Sequence, residues 1–110
     1  MKKVYVLKVT SADLDYGNWF TRSLYGFENR EAVLKILDSL NDFILKYIGR
    51  VECWRETEQV FLKHKREFYS IFKGYVPQHK VRNLFRDLVE FSQYHGLTVE
   101  PFSVEMIKII

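Results

Sequence analysis

Residues 4–48, VYVLKVTSADLDYGNWFTRSLYGFENREAVLKILDSLNDFILKYI, decide the fold. Val4, Tyr5, Val6, Leu7 and Val9 form an apolar, β-branched and aromatic run broken only by Lys8. A run of that length and composition favours a strand buried on both faces over a helix. Gly17, within Asp15-Tyr16-Gly17-Asn18-Trp19, suits the first central position of a type II′ turn, whose twist matches the strands it joins. The pattern predicts a two-stranded ribbon, with strands from Val4 to about Tyr16 and from Trp19 to about Phe27. A Gly17-Asn18 turn sets Tyr16 opposite Trp19 and Asp13 opposite Arg22. Aromatic and opposite-charge pairs of this kind contribute roughly 0.2–1 kcal/mol each.

The ribbon leads straight into a helix. Asn29 is its expected N-cap, because the side-chain oxygen can accept an orphan N–H of the first turn. Val33, Ile36, Leu37, Leu40, Ile44, Tyr47 and Ile48 recur at helical spacing, with Lys35, Asp38, Ser39 and Asp42 on the other side. Gly49 is placed to end the helix as its C′ residue. A stripe this apolar must cover something, and the ribbon is the nearest surface.

Beyond Gly49, Arg50 to Trp54 reads as a short strand or as the lead-in to a helix. From about Glu56 to Phe72 the spacing is helical, with Trp54, Phe61, Phe68 and Phe72 near one face as core aromatics. Gly74 is the expected C′ residue, and Pro77 stands at or near the first position of a third helix. That helix carries Val81, Leu84, Phe85, Leu88 and Phe91 on its apolar side as far as about His95, where Gly96 closes it. Leu97-Thr98-Val99 and the stretch from Phe102 to Ile110 return to strand composition, interrupted by Pro101, which suits an edge or a strand start. The expected architecture is a two-layer α+β domain in the order β-β-α-α-α-β. A small, about three-stranded, largely antiparallel sheet packs against helices, with the last strand beside the first.

The 110 residues are one domain's worth of chain, residues 1–110, at 47% hydrophobic and 28% charged. Lys8, Asp13 and Asp15 cut the first apolar run short of a signal-peptide core, and no window approaches a membrane span. One cysteine forbids an internal disulfide, and a cytoplasmic protein is the simplest expectation. The net charge of +3 is unevenly distributed: residues 54–82 carry seven basic against three acidic side chains. A cationic segment of this kind points to an acidic partner.

Lys63, Lys65, Arg66, Lys73, Lys80, Arg82 and Arg86 lie within 24 residues, opposed in that window only by Glu67. Tyr69 and Tyr75 are interleaved with them, and His79, Arg82, Asn83 and Arg86 share one helix face at i, i+3, i+4 and i+7. Cationic and amide side chains so arranged could meet phosphates and base edges of DNA or RNA. The same pattern is what the solvated face of an ordinary amphipathic helix presents. Two helices joined by a Gly/Pro turn are also generic to helix-turn-helix proteins, although Lys73 to Pro77 is long for that motif.

Other chemistries find less support. Cys53 could act as a nucleophile only with His64, His79 or His95 in reach, and no signature surrounds it, so a buried thiol is the simpler reading. An EF-hand loop beginning at Asp13 would need glycine and glutamate where Asn18 and Leu24 stand. Zinc lacks paired Cys or His spacing, and each of Gly17, Gly26, Gly49, Gly74 and Gly96 is isolated, so no glycine-rich phosphate loop exists. No catalytic residue, metal site or cofactor is therefore expected.

From Val4-Tyr5-Val6-Leu7 through Ala32-Val33-Leu34 the chain resembles small hairpin-helix proteins carried by phages and other mobile elements. That resemblance implies an accessory or inhibitory protein that acts by binding. Two expectations follow. The first is a non-enzymatic module for an acidic partner, nucleic acid before others, held by Lys63, Lys65, Arg66, Lys73, Lys80, Arg82, Asn83 and Arg86. The alternative is a protein-binding accessory or inhibitor anchored by Tyr16, Trp19, Tyr69 and Tyr75.

Overall fold

The computed structural model describes residues 2–13, 18–47, 54–94 and 97–109. Strand β1 (Lys2–Asp13) lies at the centre of a three-stranded sheet, flanked by β2 (Asn18–Phe27) and by the last strand, Leu97–Ile109. Between them come helices α1 (Arg30–Tyr47), α2 (Trp54–Lys63), α3 (Lys65–Phe72) and α4 (Gln78–Tyr94), so the last strand is β3. Both pairings are antiparallel, and the sheet order is β2-β1-β3. The expected α+β order β-β-α-α-α-β holds, with the middle helix broken into two segments at His64. The Gly49, Cys53, His95 and Gly96 expectations fall outside the described residues.

The two-stranded ribbon forms, over Lys2–Asp13 and Asn18–Phe27, but in another register. Asp13 pairs with Asn18, Ala12 with Trp19 and Val9 with Arg22. The two-residue turn at Gly17-Asn18, with Asp13 against Arg22, is therefore corrected; the connection itself, residues 14–17, lies outside the described residues. The observed partner of each β1 residue from Lys8 to Asp13 lies four positions earlier in β2 than expected. An even displacement leaves every side chain on its own face, so the hydrophobic pattern cannot distinguish the two registers. An extra residue of β2, Leu24, falls between the Leu7–Tyr25 and Lys8–Ser23 pairs and makes a bulge.

One face of the sheet is covered and the other is not. Leu7 and Val9 are fully buried with Phe27 and Phe102 beneath the helices, whereas Val4 and Val6 are only half-buried. The expectation of a first strand buried on both faces is thus also corrected. In an antiparallel sheet joined this way the helices gather on one side, and no described element covers the other. Helix α1 packs on β3 and β1, and α4 meets β2. Helix α2 packs on α4, while α3 lies against both α1 and α4.

Local signals position these elements. The Asn29 side chain accepts the Ala32 N–H at 3.2 Å, the N-cap bond expected at the start of α1. Gly74, at φ 88°, ends α3 in the left-handed conformation that glycine adopts without strain, and the Pro77 carbonyl accepts the Lys80 and Val81 N–H groups to start α4. On β3, four residues, 98–101, stand between the rungs Val9–Phe102 and Ser11–Leu97 where β1 has only Thr10. Pro101 sits in this irregularity on an edge strand, where no ladder donor is lost. The next N–H, that of Phe102, is taken by Asn41 Oδ1 of α1 at 3.4 Å.

Aromatic rings join the helices. Phe43 of α1 stacks on Phe61 of α2 at 5.8 Å, and Phe68 of α3 packs edge-on to Phe43, Phe61 and Phe85. Phe61, Phe68 and Phe72 are fully buried, as the stripe predicted. At the break, His64 (φ −106°, ψ 28°) stacks its ring on Tyr47 of α1 at 3.7 Å, within a short distance of Phe43.

Candidate nucleic-acid interface

Helices α3 and α4 run side by side after the Gly74 turn, and their facing flanks leave two adjoining grooves. The first, about 610 Å³, is lined by Lys65, Arg66, Tyr69, Ser70, Lys73, Gly74, Val76, Gln78 and Val81. The second, about 400 Å³, lies between Leu62, Lys65 and Tyr69 on one side and Arg82, Phe85, Arg86, Val89 and Glu90 on the other. Both are lined mostly by apolar atoms, and they meet at Lys65 and Tyr69. Each is therefore a concavity with an apolar floor and a cationic rim.

The helical repeat explains the rim. With Phe68 and Phe72 turned into the core, Lys65, Arg66, Tyr69 and Lys73 fall on the α4 side of α3. On α4, Val81, Leu84, Phe85 and Leu88 are buried, which leaves Arg82 and Arg86 along the opposing flank. The Lys65 ammonium stands 5.5 Å from the Tyr69 ring centre and 5.6 Å from that of Phe85. Cation–π contacts of this sort are worth roughly 0.5–1 kcal/mol at exposed sites and hold the charge at the junction of the grooves. Arg86 donates to Asn83 Oδ1 at 3.3 Å, so Asn83 orients a rim arginine.

Among the described residues, none of these rim cations has a carboxylate within ion-pair distance. Glu67, the single acid in that stretch of sequence, is turned toward α1. There it accepts the Tyr47 hydroxyl and meets Lys46 Nζ at 3.4 Å. The Tyr47 hydrogen bond, followed by the Lys46 charge, holds the Glu67 carboxyl below its ordinary range. Glu90 lies at the edge of the second groove.

Of the expected nucleic-acid contacts, Lys65, Arg66 and Lys73 come together around the first groove, and Lys65, Arg82 and Arg86 around the second. Lys63 at the end of α2 and Lys80 in the first turn of α4 are exposed but line neither groove. Of the aromatic anchors of the alternative, Tyr69 and Tyr75 line separate grooves. Tyr16 lies outside the described residues, and only the backbone of Trp19 is described, in β2. Tyr69 is half-buried, its hydroxyl enclosed without a hydrogen-bond partner among the described residues. Tyr75, 45% exposed, faces a separate groove beside Lys35, Asp38 and Ser39 of α1.

The apolar floor under the cations was missed by sequence reasoning. Val81 is expected on the apolar side of its helix, and Leu62, Val76 and Val89 carry no functional expectation; the placing of α3 beside α4 sets these apolar side chains beneath charged rims, Val76 and Val81 nearly buried and Leu62 exposed. Cys53 and His95 lie outside the described residues; His64 is half-buried under Tyr47, and His79 is exposed. Among the described residues no three His, Cys, Asp or Glu side chains gather as metal ligands, and no helix is long and apolar enough to cross a membrane.

No family model, curated protein or solved structure matches this chain.

Proposed function

We propose that this chain is a non-enzymatic binding module for nucleic acid, held through its phosphates by Lys65, Arg66, Lys73, Arg82 and Arg86. The observation that carries this reading is the concentration of cations around two connected concavities, none of them with a carboxylate in ion-pair distance among the described residues; Glu67 is engaged by Tyr47, and Glu90 stands at the edge of the second groove. Cations not neutralised by a carboxylate remain available to phosphate, and releasing the counterions condensed on a nucleic acid supplies the driving force. Lys63 at the end of α2 and Lys80 and Asn83 on α4 lie at the periphery of this surface, where the lysines add to the field and Asn83 orients Arg86.

Electrophoretic mobility of labelled DNA and RNA, measured at low and at moderate salt, tests the proposal. A retarded complex at low salt that dissolves steeply as salt rises is the expected result. Absence of a complex with either polymer at low salt, or a complex indifferent to salt, would refute it.

A further inference from the structure

We infer that the partner is a single strand, one of whose bases enters the groove between α3 and α4 while the flanking phosphates lie on its rim. This rests on the nucleic-acid reading above and deepens it.

A duplex presents phosphates on a convex surface and seals its bases inside. Against this protein it would touch Lys65, Arg66, Lys73, Arg82 and Arg86 while leaving the apolar floors of both grooves empty. Reading a duplex by a helix requires base-contacting side chains on the helix crest. Here Arg82 and Arg86 stand on a flank of α4, beside the second groove. The first groove, about 610 Å³, falls within the roughly 300–1,000 Å³ range of sites that enclose a small ligand. Its apolar floor, with Val76 and Val81 nearly buried at the bottom and the half-buried Tyr69 beside Lys65 at the wall, suits the apolar faces of a planar base, and Ser70 and Gln78 supply polar atoms at its edge. The second groove continues past Lys65 and Tyr69 to Arg82 and Arg86, giving the strand's backbone a cationic path onward. Such a combination, an electrostatic track beside an apolar base platform, is how single strands are held without sequence preference.

Fluorescence anisotropy with a labelled strand of about ten nucleotides, a typical single-strand site size, is compared with the same strand annealed to its complement. The native chain is expected to bind the free strand about tenfold more tightly than the duplex, the scale of one base contact. Ser70→Leu fills the groove from an exposed position without changing charge, and should remove that preference while leaving duplex affinity as it was. If Ser70→Leu does not fold, Ser70→Met, an unbranched helix former, serves the same purpose. Equal native affinity for strand and duplex, or a filled groove that leaves the preference intact, overturns the inference but leaves the nucleic-acid reading standing. A parallel loss for both ligands also overturns it, because filling the groove would then disturb the surface and not a base site. Binding of neither ligand by the native chain defeats both.

Discussion

The open face of the sheet and the α3–α4 face both carry lysine, yet they treat it in opposite ways. On the sheet, Lys8 pairs with Glu105, and Thr10 and Thr21 share a hydrogen bond across the strands at 3.1 Å. Lys2 reaches Glu28 at 2.5 Å at the same end of the ribbon. On the α3–α4 face the rim cations meet aromatic rings, an amide and apolar floor, and among the described residues no carboxylate. Paired surface charges add a little to stability and leave no field to attract a partner. Unpaired like charges cost some stability by mutual repulsion, and they leave a field of several kT that a polyanion can use.

Arg82→Glu with Arg86→Glu should break this contrast most severely. Two phosphate contacts, each contributing about 0.7 to the salt exponent of single-strand binding, amount to roughly 25-fold at 0.1 M salt relative to a 1 M reference. Reversal should therefore weaken oligonucleotide binding by about 25-fold or more and flatten the salt dependence. Its melting temperature should stay nearly level, since two exposed glutamates at i,i+4 repel each other much as the two arginines do. A fall in both affinity and melting temperature would show that these arginines hold the fold and not a ligand.

Tyr69→Phe sharpens the same point one residue inward. The enclosed hydroxyl of Tyr69 has no partner among the described residues, and an unsatisfied buried group costs about 1–3 kcal/mol. Thermal or denaturant unfolding should show the variant as stable as the native chain or more so, by up to about that amount. Destabilisation would mean the hydroxyl is bonded in solution.

Lys8 and Glu105 supply the control on the opposite face. A double-mutant cycle through Lys8→Ala and Glu105→Ala should return about 0.2–1 kcal/mol, with oligonucleotide affinity unmoved. Coupling well above that range, or an effect on binding, would erase the distinction between the two faces.

The smallest expected effect is a pH dependence. Glu67 has its carboxyl pKa depressed in the folded chain, chiefly by the Tyr47 hydroxyl and next in favour of the charged form by Lys46. Glu28 is depressed likewise by the Lys2 hydrogen bond and charge. Groups of this sign stabilise the fold above the ordinary carboxylate range and lose that contribution as pH falls through their lowered folded values. Melts taken from neutral pH down into acid should therefore show a steeper loss for the native chain than for Glu67→Gln. Identical slopes would remove Glu67 from the account.

Alternation and capping made most of the fold legible. Leu7 and Val9, the Asn29 cap, the glycine at 74 and the apolar side of α4 are local features whose physics is complete within a few residues. The four-residue displacement of the ribbon was not legible, because it exchanges partners without exchanging faces. Neither was the break at His64, where the ring meets Tyr47 of another helix. In the candidate interface, the cation-rich stretch from Lys63 to Arg86 could be read directly. That Lys63 and Lys80 would stand apart while Lys65 joined both grooves could not, since it depends on how α3 and α4 lie against each other.

Residue order alone determined the apolar stripes of the helices, the cap that starts α1, the glycine that ends α3, and that the excess positive charge falls in the middle of the chain. Those properties follow from side-chain period and local hydrogen bonding, which need no distant partner. Tertiary structure alone decided that Glu67 turns to Tyr47 and that the cations rim an apolar hollow. Charge becomes a binding surface only when packing settles which opposite charges come within reach, and that distance is set between helices, not along them.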